Sequence, residues 1–284
     1  MTDIEPSSGT TTDTAQVTLK EVTELGELVA LRELFDSAWG RSNNTSVVPL
    51  EVLRAASMSG NYVVAAMVGG ELGGGGFGML GMSGGAPYLH SHVLAVSAAL
   101  RGQGLGLAVK HHQRQWALDR GLSSISWTFD PLVRRNAHFN LSRLGAHPTR
   151  YLVNWYGRRD DSIDAGEGDR FLVEWPVQLS ADGPGGFPDS PTARAVADFE
   201  QMPIRLKDEN SAPVVLDREE SEPGTPFIAE IPDDIVRLRG RRPDLAAMWT
   251  LAFRQVVGGA MSRGYVVSGL RHNGYALMMP GDGA

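Results

Sequence analysis

An extended apolar run, Val93-Leu94-Ala95-Val96, is joined to a helical stretch, Leu107 to Arg120, by the hexapeptide Arg101-Gly102-Gln103-Gly104-Leu105-Gly106. A glycine-rich turn in that position commits the chain to a strand followed by a helix. It also leaves the first N–H groups of the helix unpaired at the positive end of its dipole, which is a ready anion site. The ligand this predicts is a phosphate or pyrophosphate. Spacing narrows the choice. A nucleotide-triphosphate loop needs Gly, four residues, then Gly-Lys-Ser/Thr, whereas Leu107-Ala108 follow Gly106. A dinucleotide fingerprint needs Gly-x-Gly-x-x-Gly with an acidic residue about 20 positions on, and the glycines at 102, 104 and 106 are spaced two by two.

Periodicity supplies the surroundings of the turn. Val17 to Val22 reads as a strand, and Glu24 to Ala38 as a helix with Leu25, Leu28, Leu31, Leu34 and Phe35 on one face. Pro49 opens a second helix that stops at Ser59-Gly60. Tyr62 to Val68 and Leu72 to Leu80 form a hairpin about Gly69-Gly70. The second of these strands contains Gly73 to Gly76, which weakens it and marks a close approach by backbone or ligand; a loop over 69–85 is the equal alternative. Then come a strand at Tyr88 to Val96, a helix over 105–120 ended by Gly121, and a strand at Ile125 to Phe129. A helix opened by Arg134-Arg135-Asn136 ends at Leu144-Gly145. Between Tyr156 and Arg170 lies an acidic loop (Asp160, Asp161, Asp164, Glu167, Asp169), and Phe171 to Val177 is a further strand. The alternation predicts an α/β sheet with helices on both faces.

Ser180 to Thr192, rich in proline and glycine, reads as a linker. Beyond it a smaller α+β unit is expected, with strands at Val214 to Leu216, Phe227 to Ile231, Tyr265 to Leu270 and Tyr275 to Met279. Its helix, Pro243 to Arg263, places Leu245, Met248, Trp249, Ala252, Phe253, Val256 and Val257 mostly on one side, a stripe that reads as core.

The formal net charge of −7 over 284 residues argues against a nucleic-acid partner, and Arg134-Arg135, Arg158-Arg159 and Arg237 to Arg242 read as solvated faces. With no cysteine there is no disulfide, thiolate metal site or cysteine nucleophile. Met1 to Gln16 lacks the basic start and apolar run of a signal peptide and reads as a disordered tail of a cytoplasmic protein. No apolar run reaches the 18 or so residues needed to span a bilayer, so no membrane partner is expected.

Arg-x-x-Gly-x-Gly after a strand ending in Ala-Val resembles the signature of the GCN5-related N-acetyltransferase (GNAT) superfamily. The strand and helix order over roughly 17–160 is similar to that family's layout. The resemblance implies a mixed, splayed GNAT-type sheet flanked by helices, with a smaller C-terminal α+β unit. It divides the chain into a tail (1–16), an acyltransferase domain (17–179), a linker (180–192) and a C-terminal extension (193–284). It implies acetyl-CoA or another acyl-CoA as co-substrate, no metal, and a small-molecule amine such as an amino acid as acceptor. Leu94, Ala95 and Val96 would pair with the pantetheine arm and offer backbone amides to the thioester oxygen. Arg101, Gly102, Gln103, Gly104, Leu105 and Gly106 would hold the pyrophosphate, and Asn136 would touch coenzyme A. The runs Phe129-Asp130-Pro131-Leu132, Arg135-Asn136-Ala137-His138-Phe139-Asn140, Asn154-Trp155-Tyr156-Gly157 and Asp169-Arg170-Phe171, with Glu230-Ile231-Pro232, Trp249, Arg254 and Arg263-Gly264-Tyr265, look like an uncharacterised bacterial branch of the superfamily. Some of its members are associated with N-succinylation of amino acids.

Acyl transfer to an amine needs a base, and no Asp or Glu stands between Glu71 and Asp119. His92 and His90 are the candidate catalytic bases. Strand alternation predicts that they share a face with Leu94 and Val96, and imidazole titrates near neutrality. The alternative is a structural role. A metal held by this pair, with His111 or His112 as a third ligand, is weaker still, because zinc wants three or four ligands. The tyrosine that protonates the leaving thiolate in many family members is absent: the count back from Leu144-Gly145 lands on Leu141, leaving His138, Tyr151 or solvent. Asn136 could equally cap its helix. Arg134, Arg135, Arg150 and Arg170 are candidate clamps for a carboxylate on the acceptor. Two other classes stay open: a coenzyme A-binding regulatory module without turnover, and a phosphate- or nucleotide-binding protein outside the superfamily. The C-terminal unit could cover the acceptor site, extend the sheet or mediate a homodimer.

Overall fold

A computed structural model describes residues 16–39, 46–159, 166–178, 202–216, 224–271 and 273–280. The expected tail up to residue 15, the linker 180–192, and Asp160, Asp161 and Asp164 lie outside the described residues. In chain order the first half runs β1 (Val17–Glu21), α1 (Leu25–Trp39), α2 (Leu50–Met58), β2 (Tyr62–Val68), β3 (Glu71–Ser83), β4 (Ala86–Val96), α3 (Leu105–Asp119) and β5 (Ser124–Phe129). It continues with α4 (Arg134–Ala137), which passes into a π-helical turn (His138–Arg143), then β6 (His147–Leu152), a two-residue hairpin of β7 (Arg158–Arg159) and β8 (Gly166–Glu167), and β9 (Arg170–Pro176). The turn chemistry matches the reading above: Gly69 and Gly70, at φ 58° and 87°, close the β2–β3 hairpin, and Gly121, at φ 67°, follows α3.

These strands form one mixed sheet in the order β1-β2-β3-β4-β5-β9-β6. It is the splayed GNAT-type sheet. Antiparallel pairing holds β1 to β4 together, and β5, β9 and β6 likewise, but the parallel β4–β5 contact consists of two pairs only, Leu89↔Ile125 and His90↔Ser126. Beyond His90 the two wings part. The glycine run is strand, not loop. A Cβ on Gly75 would stand 2.5 Å from Leu31 of α1 and 2.6 Å from the Val64 carbonyl, and one on Gly74 would stand 3.1 Å from Leu105 of α3. The missing side chains let helices press onto both faces of β3.

Four strands were not expected from the sequence: β6, the two-residue β7 and β8, and β10 (Ile204–Glu209). The C-terminal unit continues with β11 (Ala212–Val215), β12 (Phe227–Glu230), α5 (Ile235–Arg241), α6 (Pro243–Phe253), a π-helical turn (Arg254–Gly258), α7 (Gly259–Ser262), β13 (Val266–Arg271) and β14 (Gly274–Met278). Its sheet order is β11-β10-β12-β14-β13. The expected stripe on α6 holds for Trp249, Ala252 and Phe253, all buried, but Met248 faces solvent.

Both units share a core. The rings of Phe171 on β9 and Tyr275 on β14 meet edge to face at 5.3 Å, Phe253 packs on both, and the Tyr275 hydroxyl donates to the Pro131 carbonyl at 2.7 Å. Two buried carboxylates fasten the seam. Asp169 accepts from Nε and Nη2 of Arg254, both at 2.9 Å, and from the Tyr151 hydroxyl at 2.7 Å; Asp130 lies 2.6 Å from Arg239. Burial and the Asp169 charge raise the Tyr151 pKa. Asp169 therefore belongs to the core and not to a solvated acidic loop, and Tyr151, held by it, is no source of protons for a leaving thiolate. The side chain of Arg239, within an arginine run expected to be solvated, is likewise only 7% exposed. No helix among the described residues is long and apolar enough to cross a membrane.

Candidate functional site

Where the wings part, a cavity of about 510 Å³ opens between the end of α1, the second half of β4, the turn into α3 and the helix that begins at Arg134. The turn forms as its glycines require. Gly102 and Gly104 adopt φ of 80° and 83°, and Gly104 stands at the N-cap of α3 with no side-chain cap, so the first amides of the helix are left for a ligand. Leu94, Ala95, Val96, Arg101, Gly102, Gly104, Leu105, Gly106 and Asn136 all line the cavity. Gln103 does not; its side-chain amide donates back to the Ala99 carbonyl at 3.1 Å. Asn136 is not a cap either, because Val133 occupies that position.

The strand wall presents backbone to the cavity. Ser97 donates to the Gly73 carbonyl at 2.9 Å, and Ala95 is registered against Gly75. The alternation of an antiparallel ladder then turns the amides of Val96 and Leu94 away from β3, to the side that β5 has vacated. The Leu94 carbonyl accepts from Trp39 Nε1 at 3.3 Å. Trp39, Phe139, Arg135 and Arg143 complete the wall. Arg143 and Trp39 were not singled out from the sequence, although Arg135, Phe139 and Arg143 recur at four-residue spacing, the signal of one helix face. Arg101, Arg135 and Arg143 line the pocket, and among the described residues no carboxylate joins them there.

A β-bulge decides where the histidines point. Phe77 pairs with Val93 and Gly78 with Ser91, leaving His92 as the extra residue of β4. The bulge reverses the alternation. Leu94 and Val96 pack with Leu105 and Val109 of α3, whereas Val93 and Ala95 pack with α1 and Phe77 on the opposite face. His92 meets Phe77 edge to face at 5.8 Å, and His90 lies 6.0 Å from His92, so both stand on the α1 face. The expected shared face with Leu94 and Val96 is thereby corrected. Burial, then the His92 and Lys110 charges, hold the His90 pKa down to about 4; burial also lowers that of His92, a residue that packs on Phe77 and still reaches solvent. Both imidazoles are neutral at pH 7. His111 packs against Trp175 and the His112 Nδ1 lies 3.1 Å from the Tyr62 hydroxyl, on the α3 side of the sheet, so neither joins the pair as a ligand. Among the described residues no group of three metal-ligating side chains is found.

The remaining candidates divide. Arg170 is buried beside Asp130 at 3.9 Å, and Arg134 pairs with Asp233 at 2.7 Å and donates to the Ile231 carbonyl, so both serve the seam and not an acceptor. Arg150 is exposed on β6. Leu141, at the position where the superfamily places its acid, is buried in the core, and His138 is exposed.

No protein-family model matches the chain, and neither does any curated protein. Solved structures that resemble it include the ribosomal-protein-S18-alanine N-acetyltransferase of Escherichia coli, 14% identical, covering 60% of this chain and 99% of its own, with a TM-score of 0.46. The protein yncA of Salmonella typhimurium, solved with its cofactor acetyl-CoA, is 15% identical over 60% of this chain and 99% of its own, with a TM-score of 0.47. An N-acetyltransferase from Staphylococcus aureus is 12% identical over 58% of this chain and 100% of its own, also at 0.47.

Proposed function

We propose that this chain is an acyl-CoA-dependent N-acyltransferase of the GCN5-related superfamily, moving an acetyl or other short acyl group, succinyl among them, to the amine of a small molecule such as an amino acid. The observation that carries this reading is the parting of β4 from β5 beyond His90, which turns the Leu94 and Val96 amides into a groove that ends on the glycine turn of α3. An extended arm bearing an anion at one end fits a groove with strand-edge donors along its side and helix-dipole amides and arginines at its end. ATP lacks such an arm.

The thioester, when bound, supplies an activated carbonyl and a good leaving group. The protein's part is to orient, to deprotonate and to stabilise. His92, neutral and exposed at the bulge, takes the proton from the incoming ammonium directly or through water, with His90 as its neutral neighbour. The Leu94 or Val96 amide donates to the carbonyl oxygen as negative charge builds there. The amine nitrogen bonds to the carbonyl carbon and gives its second proton to solvent, the carbon–sulfur bond breaks, and the thiolate takes a proton from solvent, since Leu141 offers none.

Calorimetry with acetyl-CoA, succinyl-CoA, free coenzyme A and ATP, followed by thiol release over a panel of amines, tests the reading. Coenzyme A binding with acceptor-dependent thiol release is the expected outcome. Tight ATP binding without coenzyme A binding would sink it in favour of another phosphate-binding protein, and coenzyme A binding without thiol release would leave a silent binding module.

A further inference from the structure

The cavity stops short of the proposed base. On β4 it is lined by Leu94, Ala95 and Val96, and among the described residues by nothing nearer to His92. Trp39, the last residue of α1, stands at that end. Its indole Nε1 donates to the Leu94 carbonyl at 3.3 Å, while the half-buried side chain packs against the cluster that holds Phe77, Val93 and Ala95. That cluster lies on the α1 face, where His92 also meets Phe77. The indole therefore reaches from the α1 face to the edge of β4, across the approach from the base to the groove.

The Leu94 carbonyl is the contested group. In an antiparallel ladder the N–H and C=O of one residue point to the same side, so this carbonyl shares with the Leu94 amide the side that β5 has vacated. An extended, amide-bearing arm that pairs with the strand edge needs the carbonyl as acceptor as well as the amide as donor. The indole now holds that acceptor, by a bond at the long end of the N–H···O range, and an amide N–H at the usual distance of about 2.9 Å is the stronger partner. Trp39 can also yield cheaply. Rotation of its side chain breaks no hydrogen bond of the α1 backbone, and a half-buried ring forfeits little contact on leaving.

We propose, building on the acyl-CoA reading above, that Trp39 is a gate at the reacting end of the groove: in the free protein its indole closes the way between the groove and His92, and the arm of the donor displaces it by taking the Leu94 carbonyl. The thioester then meets the base only once the donor is seated, and donor binding carries the cost of opening the gate. The test is calorimetry on the full chain with free coenzyme A and with ADP, which brings a pyrophosphate to the turn and has no arm to reach Leu94. Trp39→Phe keeps a ring and cannot donate. It is expected to bind coenzyme A about two- to tenfold more tightly than the wild type, because the competing hydrogen bond is gone, with ADP affinity unchanged. In the wild type, coenzyme A and not ADP should shift the tryptophan emission. Equal or weaker coenzyme A binding by a folded Trp39→Phe protein overturns the proposal, since a fixed wall only loses contacts when its indole goes. A gain shared by ADP overturns it too, by placing the effect at the turn, and so does a wild type that binds coenzyme A with no change in emission, a result that needs no variant. Absence of coenzyme A binding in the wild type would refute the acyl-CoA reading itself, an outcome distinct from these.

Discussion

At the level of single residues, the position of a side chain relative to the bulge sets its chemistry. His92 stands on the α1 face because it is the unpaired residue of β4, and burial keeps it neutral. His92→Ala is expected to lower kcat about 100-fold or more while changing the dissociation constant for acyl-CoA less than about twofold; steady-state kinetics beside calorimetry checks this, and an unchanged kcat would return His92 to a structural role. Because burial places its pKa below 6.5, kcat/KM should stay level as pH falls to about 6.5 and decline only below it. His90 makes a separate prediction. Its pKa is about 4 in the fold and near 6.5 in the unfolded chain, so the unfolded state binds more protons between those values and stability is lost as pH falls through that window. His90→Gln should make chemical denaturation midpoints less dependent on pH between about 6.5 and 4. Lys110 has the opposite range: with a pKa near 7 in the fold and about 10.4 unfolded, it makes stability rise with pH between the two, a slope that Lys110→Met should remove.

Elements were more legible in the sequence than their partners. The turn Arg101 to Gly106, the hairpin at Gly69-Gly70 and helices α1 to α3 follow from local rules, because glycine conformation and apolar spacing act over a few residues. The glycines of β3 were legible only as an oddity, and α1 and α3 explain them. Gly75→Ala puts a methyl group against both Leu31 and the Val64 carbonyl, and should cost about 1 to 3 kcal/mol in urea melts. At Gly104 space is open but φ is 83°. Gly104→Ala should therefore weaken coenzyme A binding by reshaping the turn, at a stability cost of about 1 to 2 kcal/mol; unchanged affinity would remove the turn from the binding site. Strand β6 escaped notice because its residues, His147-Pro148-Thr149-Arg150-Tyr151-Leu152, neither alternate cleanly nor form an apolar run, and β9 rather than hydrophobic pattern gives it its place.

The whole molecule is held across the two units by Asp130 with Arg239, Asp169 with Arg254, and the aromatic group of Phe171, Phe253 and Tyr275. A seam built this way couples the unfolding of both sides. Arg254→Met leaves the buried Asp169 without its cation and is expected to cost about 3 to 5 kcal/mol, with tryptophan fluorescence and circular dichroism still reporting one shared transition. Two separated transitions in the wild type would show that the seam is weaker than its burial implies.

Local sequence sets the strand, glycine turn and helix that make an anion site, the order of most elements, and the lack of any cysteine side chain. Each depends on neighbours in the chain. Only the folded arrangement shows that β4 leaves β5 after His90, that a bulge at His92 turns the histidines from the face of Leu94 to the face of α1, and that Asp169, Arg170 and Arg134 secure a seam between the two units. It also places the Trp39 indole on the Leu94 carbonyl. The physical reason is common to all of these. Register, burial and the pairing of charges are set by what a residue meets across the sheet or the core, and those partners lie as far apart in sequence as Asp130 and Arg239.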